Sequence, residues 1–313
     1  MSTTARGCVR TAWLGALFMG AALGAARAAD EAPQTFNWWP IPTPDSQPIE
    51  IIMGPDRNLW FTLQDANSVA RLERDGTITQ FPLPTFGFPL DITIGPDGQV
   101  WFTEGNGRIG RITPSGSILE IPYDNSDPAL GITAGPNATL WFTTIGDRVW
   151  RLEMGGVLTP FDLPANTFPG DIALGSDGNL WFAQASGLGR MTPDGTYTPF
   201  AVGEVTPFAI TPGPDGNIWF TERFGRIGKI TPAGDLTFYP TDLHTLDSIV
   251  SGAGDTLWFT SFGDDRIARI TTDGVIDASH VFPASGPTGI FANRVGVWFL
   301  GYANDRVYRV TFR

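Results

Sequence analysis

Apolar and polar positions alternate in short runs along the chain, and the runs return in the same order about every 40 residues. One copy reads Leu90 to Ile94, a Gly95-Pro96-Asp97-Gly98 break, Val100 to Glu104 and then a short glycine loop. It continues with Arg108 to Ile112, a Thr113-Pro114-Ser115-Gly116 break, and Ser117 to Ile121 before Pro122. Period-two alternation bounded by Gly, Pro and Asp predicts strands, and proline's preset φ next to a glycine tolerant of positive φ predicts tight reversals. Each copy is therefore expected to form four hairpin-linked strands, a to d.

Trp-Phe pairs mark strand b of every copy, starting at Trp60, Trp101, Trp141, Trp181, Trp219, Trp258 and Trp298, with spacings of 41, 40, 40, 38, 39 and 40 residues. Seven such copies predict an all-β protein, a seven-bladed β-propeller with one four-stranded blade per repeat. Adjacent strand residues point to opposite faces, so each ring of a pair fills the space toward a different neighbouring blade. The pairs are core, not a cofactor box.

The ends of the repeat series complement each other. Phe36 to Thr43 matches the strand-d ending Gln80 to Thr85, whereas the chain stops at Arg313 after strand c of the seventh copy. The N-terminal strand is expected to complete the last blade and close the ring, which removes exposed sheet edges. Residues 29–313 then form a single propeller.

Composition changes the picture mainly at the N-terminus. Arg6 and Arg10, an apolar run from Trp13 to Leu23, and Ala26-Arg27-Ala28 read as a cleaved signal peptide over residues 1–28, implying a periplasmic or secreted protein. Its removal takes away Cys8, the one cysteine, and excludes mature disulfides. It also takes three arginines and no acid, carrying the formal net charge from −12 to −15. Such acidity disfavours nucleic acid and anionic membranes as partners. A monomer is expected.

Seven copies of one blade also allow an internal comparison. The strand-c cation recurs in every copy (Arg71, Arg111, Arg151, Arg190, Lys229, Arg269, Arg309) and reads as scaffold. The d–a and b–c loops diverge, and loops on a rigid frame are where binding groups concentrate. Where strand a begins, at the mouth of the central channel, stand Glu50, Asp91, Asp171 and Asp247, with Phe208 at an adjacent position; after Trp-Phe come Glu104, Gln184 and Glu222. These eight are the candidate ligand-binding residues. Three readings compete: a Mg²⁺ or Ca²⁺ site using Asp91, Glu104 and Glu222, a grip on a cationic or polyhydroxylated ligand, or a solvated acidic surface. Phe86, Phe88, Phe168 and Phe224 would add apolar walls, and the partner is a small molecule or a protein at this loop face.

The repeat Gly213-Pro214-Asp215-Gly216-Asn217-Ile218-Trp219-Phe220-Thr221-Glu222, with Arg226-Ile227-Gly228-Lys229-Ile230-Thr231-Pro232 and the Phe-Pro-Leu-Pro strand ends, resembles the streptogramin B lyases (virginiamycin B lyases) over residues 36–313. The resemblance implies a seven-bladed propeller and a Mg²⁺-assisted β-elimination that opens a cyclic depsipeptide. It places a catalytic His where the sixth blade's strand a begins and a Glu-Pro-His at the corresponding place in the seventh. Here those places hold Asp247 and Gly286-Pro287-Thr288. Abstracting a proton beside a carbonyl needs a base with a pKa near working pH, which imidazole supplies unaided and an ordinary carboxylate does not. The expectation is a binding module that is not an active streptogramin lyase, with Asp247 and His244 the candidates for a relocated base. His280, on a strand d at the blade's outer edge, is not a candidate. The alternative is a metal-dependent lyase or gluconolactonase-type hydrolase with a divergent acidic site. No cysteine nucleophile, Gly-x-Ser-x-Gly or phosphate loop is present, and two histidines are too few for a zinc site.

Overall fold

The computed structural model describes residues 35–311 except 125, 204 and 205, so the expected signal and leader (1–34) lie outside the described residues. Seven four-stranded antiparallel sheets follow one another, each in the order a-b-c-d, and the strands a of neighbouring blades pack together at the centre. The second blade comprises Pro89–Ile94, Val100–Glu104, Arg108–Ile112 and Ile118–Pro122. Strand d runs one residue past the expected stop because it is the outer edge, where Pro122 opposite Arg108 sacrifices no ladder hydrogen bond. Closure is as the sequence implied. Thr35–Pro40 pairs with Arg306–Thr311, placing Phe36 opposite Val310 and Trp39 opposite Val307.

The Trp-Phe pairs define the layers between blades. Trp60 shares a buried cluster with Phe102 of the next blade, Trp101 with Phe142, and Trp141 with Phe182; Trp298 meets Phe61 across the closing joint. Above these rings lie the strand-c cations, each 5.0 to 5.8 Å from the centroid of its own blade's Trp. Several reach on to the next blade's c–d turn: Arg71 donates to the Pro114 carbonyl at 2.6 Å, Arg190 to Pro232 at 2.9 Å and Lys229 to Thr272 at 3.1 Å. A cation stacked on an indole and capped by a neighbour's carbonyl is a clip between blades, which explains its recurrence.

Candidate functional site

Strand a carries a register shift in six blades, between Pro48 and Ile51, Pro89 and Ile92, Ala129 and Ile132, Pro207 and Ile210, Leu246 and Ile249, and Pro287 and Ile290. Such bulges re-aim side chains, and these coincide with the channel-mouth positions. The strand-b threonine holds the bulge in the first, second, third, fifth and sixth blades, whereas the seventh has Leu300 at that position. Thr103 Oγ accepts from the Asp91 amide at 3.0 Å and donates to the Leu130 carbonyl of the next blade at 2.7 Å, and Thr62 and Thr221 repeat the arrangement. Asp91 and Asp171 add a second link. Asp91 accepts the amides of Ile92 and, across the blade boundary, Ile132, both at 2.7 Å; Asp171 does the same with Ile172 and Ile210, at 2.8 Å each.

The bulges frame a cavity of about 180 Å³, well above the roughly 10–15 Å³ that one water needs. Of the eight expected residues, Glu50, Asp91, Asp171, Gln184 and Phe208 line it, while Glu104, Glu222 and Asp247 do not. Phe168 supplies a further wall; Phe86, Phe88 and Phe224 are outside, Phe86 stacking edge-on against Phe88 at 4.4 Å. Several lining residues escaped the sequence reading, three of them just after strand b. Ile145, Ala185 and Arg223 each stand four positions after the strand-b Trp. Divergence among the copies marks this position as it marks the one before it, which holds Glu104, Gln184 and Glu222. Arg223 lies over Phe208, its guanidinium carbon 4.2 Å from the ring centroid.

Glu104 and Glu222 sit on the same side of strand b as Phe102 and Phe220, so the alternation that buries those rings between blades buries the carboxylates too. Both are fully enclosed. Neither Glu104 oxygen makes a well-formed hydrogen bond, the Asn106 side chain giving it only weak support, and a Cβ on Gly87 would come within 2.3 Å of its Oε2. Burial first, then the nearby Glu120 carboxylate, push Glu104 up to about pKa 8 against the pull of Arg108. Arg108 is engaged elsewhere, 3.2 Å from Glu120. In the fifth blade Glu222 keeps its arginine, with Arg226 Nε at 3.3 Å.

A resident divalent ion does not fit this donor set. Among the described residues no three His, Cys, Asp or Glu are placed to hold a metal ion, Asp91, Glu104 and Glu222 included, and the Asp91 and Asp171 oxygens already accept main-chain amides. Asp247 is buried, and its carbonyl accepts from Thr221 at 2.9 Å. Thr288 donates to the Pro48 carbonyl at 3.0 Å, and the Gly286 amide to Asp265 at 2.8 Å. His244 lies away from the cavity with its side chain 71% exposed, its amide donating to Asp264 and its Nδ1 3.3 Å from Asp264 Oδ1. His280 is on an outer strand as expected, but buried, stacked 6.4 Å from Trp258.

A closed ring of seven blades with a cavity among its loop-side bulges defines the class, and comparison with known proteins defines the family. A sequence model of the virginiamycin B lyase family matches residues 35–204 and 148–313, and the chain belongs to that family. The fold superposes on selenomethionine-substituted virginiamycin B lyase from Staphylococcus aureus with a TM-score of 0.84 at 34% identity, covering 89% of this chain and 99% of that one. A streptogramin B lyase structure gives 0.83 at 30% identity, covering 88% and 98%. A catalytically inactive histidine-to-alanine variant of the S. aureus enzyme, crystallised with quinupristin, gives 0.83 at 33%, covering 89% and 99%. No curated protein matches the sequence.

Proposed function

We propose that this is an exported member of the virginiamycin B lyase family that binds a small organic ligand at the loop face and does not open streptogramin rings. The observation that carries the reading is the cavity itself: it has apolar and aromatic walls with a few convergent polar groups, the usual make-up of a ligand site, and no imidazole lines it. The places where the resemblance implies the lyase's catalytic side chains hold Asp247, Gly286 and Thr288, and the last two are engaged in framework hydrogen bonds. Export rests on residues 1–28 and predicts a mature N-terminus at Ala29.

Incubation with quinupristin, with and without Mg²⁺, should yield no linear product above the buffer control by mass spectrometry. A library of small organic molecules should contain binders that raise the melting temperature of the parent and not of Phe208→Ala. Metal-dependent turnover abolished by Asp247→Asn would overturn the non-lyase reading, and a library without Phe208-dependent binders would overturn the ligand site. A second reading, residual acid–base chemistry, is favoured by one observation: Asp264 Oδ1 stands 3.3 Å from Nδ1 of the exposed His244 side chain, the relation of an orienting carboxylate to a general base. It predicts that any turnover found is lost in His244→Gln.

A further inference from the structure

We infer that the mouth cavity selects an organic cation with an apolar body, such as a tertiary or quaternary amine. This rests on the reading of the cavity as a ligand site and narrows it to a chemical class. The ionisable groups in the lining are the carboxylates of Glu50, Asp91 and Asp171 against the single guanidinium of Arg223, in a chain of net charge −12. An anion entering here meets a surplus of negative charge. Most of the remaining wall is apolar, with Leu90, Leu130, Ile145, Phe168, Pro207 and Phe208 against the two neutral polar side chains Gln184 and Thr206, so most hydroxyls of a sugar-like ligand would lose their water without replacement.

An inorganic cation requires several oxygens to turn inward together, and Asp91 and Asp171 are instead held by main-chain amides of two successive blades. An alkylammonium requires no inner coordination. It needs a negative field and ring faces, and both are present. The cavity already shows the interaction within the chain, with the Arg223 guanidinium 4.2 Å from the Phe208 centroid. Phe168, 44% exposed, provides an additional ring. Arg223 therefore behaves as a resident cation on the wall that a ligand cation would share.

That last point separates the inference from its rivals. Benzyltrimethylammonium, benzyl alcohol and benzoate would be titrated calorimetrically into the full chain and into Arg223→Gln, Glu50→Gln and Phe208→Leu. The expected order is benzyltrimethylammonium tightest, by about tenfold over benzoate, with affinity falling as salt is added. Removing the like charge in Arg223→Gln should tighten the cation by about fivefold, Glu50→Gln should weaken it by a similar factor, and Phe208→Leu should weaken it further. If benzoate binds more tightly than the cation and Arg223→Gln abolishes it, the cavity is an anion site. If benzyl alcohol binds as tightly as the cation, charge plays no part. Either result overturns the inference but leaves the ligand-site reading intact. Absence of cation binding to the parent and to Arg223→Gln overturns it as well, and the library screen described above then decides the broader reading.

Discussion

The second and fifth blades end strand b with the same Trp-Phe-Thr-Glu and begin strand c with the same Arg-Ile-Gly, yet their buried glutamates meet different fates. Across Gly228 on strand d stands Phe238, and Arg226 rests on that ring at 4.9 Å while keeping Glu222 within 3.3 Å. Across Gly110 stands Glu120, which takes Arg108 for itself and also binds the amide and hydroxyl of Thr85. Glu104 is left beside a second carboxylate in a dry layer, and its proton stays on to about pH 8. One residue on the outermost strand thus adds to burial in keeping the proton on a carboxyl two strands inward. A repeat motif specifies where a side chain goes; its neighbours specify its chemistry.

The comparison presumes a closed ring, and the largest effect should come from opening it. Deleting residues 36–40 strips the seventh blade of its outer strand and exposes the edge of Arg306–Thr311. The expected outcome is aggregation, or a monomer melting more than about 10 °C lower. An unchanged monomeric melt would show that the joint contributes little.

Next in size is a difference of sign between the two blades. Because Glu104 titrates near 8 when folded against 4.5 otherwise, its contribution to stability is complete below about pH 4.5 and is lost as pH rises through 8. Glu104→Gln should flatten that decline and make the protein more stable than the parent near pH 8 by several kcal/mol, the gap between 4.5 and about 8 being worth about 1.4 kcal/mol per pKa unit. Glu222→Gln should instead destabilise by about 0.5–1 kcal/mol through loss of its pair with the partly exposed Arg226. Denaturant melts from pH 5 to 9 read both, and shifts of the same sign would break the contrast.

The smallest effect is also the most specific. Glu120→Phe installs the fifth blade's residue in the second, freeing Arg108 for Glu104 at the cost of two hydrogen bonds to Thr85. The Glu104 carboxyl should then titrate below its present value of about 8, which carboxyl-carbon NMR would follow directly. An unmoved titration would mean that burial alone holds the proton.

The blades, their order and the closing strand were legible because they rest on local signals repeated seven times: alternation, turn residues, a ring pair per strand b. The role of the strand-c cations was legible for the same reason, since a residue needed at every blade joint appears in every copy. The site was legible only in part. The strand-a positions Glu50, Asp91, Asp171 and Phe208 line the cavity at the loop face to which divergence among copies points. Arg223 was missed because a loop beginning after strand b turns by an amount that sequence spacing does not state, whereas Glu104 and Glu222 were misplaced because they still belong to strand b, on the buried side shared with Phe102 and Phe220.

By itself the sequence determined which segments are strands, how many blades there are and which blade the N-terminus completes, since each follows from periodicities along one chain. Only the tertiary structure decided which acids meet. Asp91 and Asp171 bond to the next blade, Glu104 is buried against Glu120, and the cavity gathers residues from several blades at once. The Glu104–Glu120 approach lies within one blade and depends on how deeply each carboxyl is cut off from water; the others depend on distances between residues about 40 positions apart or more, set by the packing of one blade on the next.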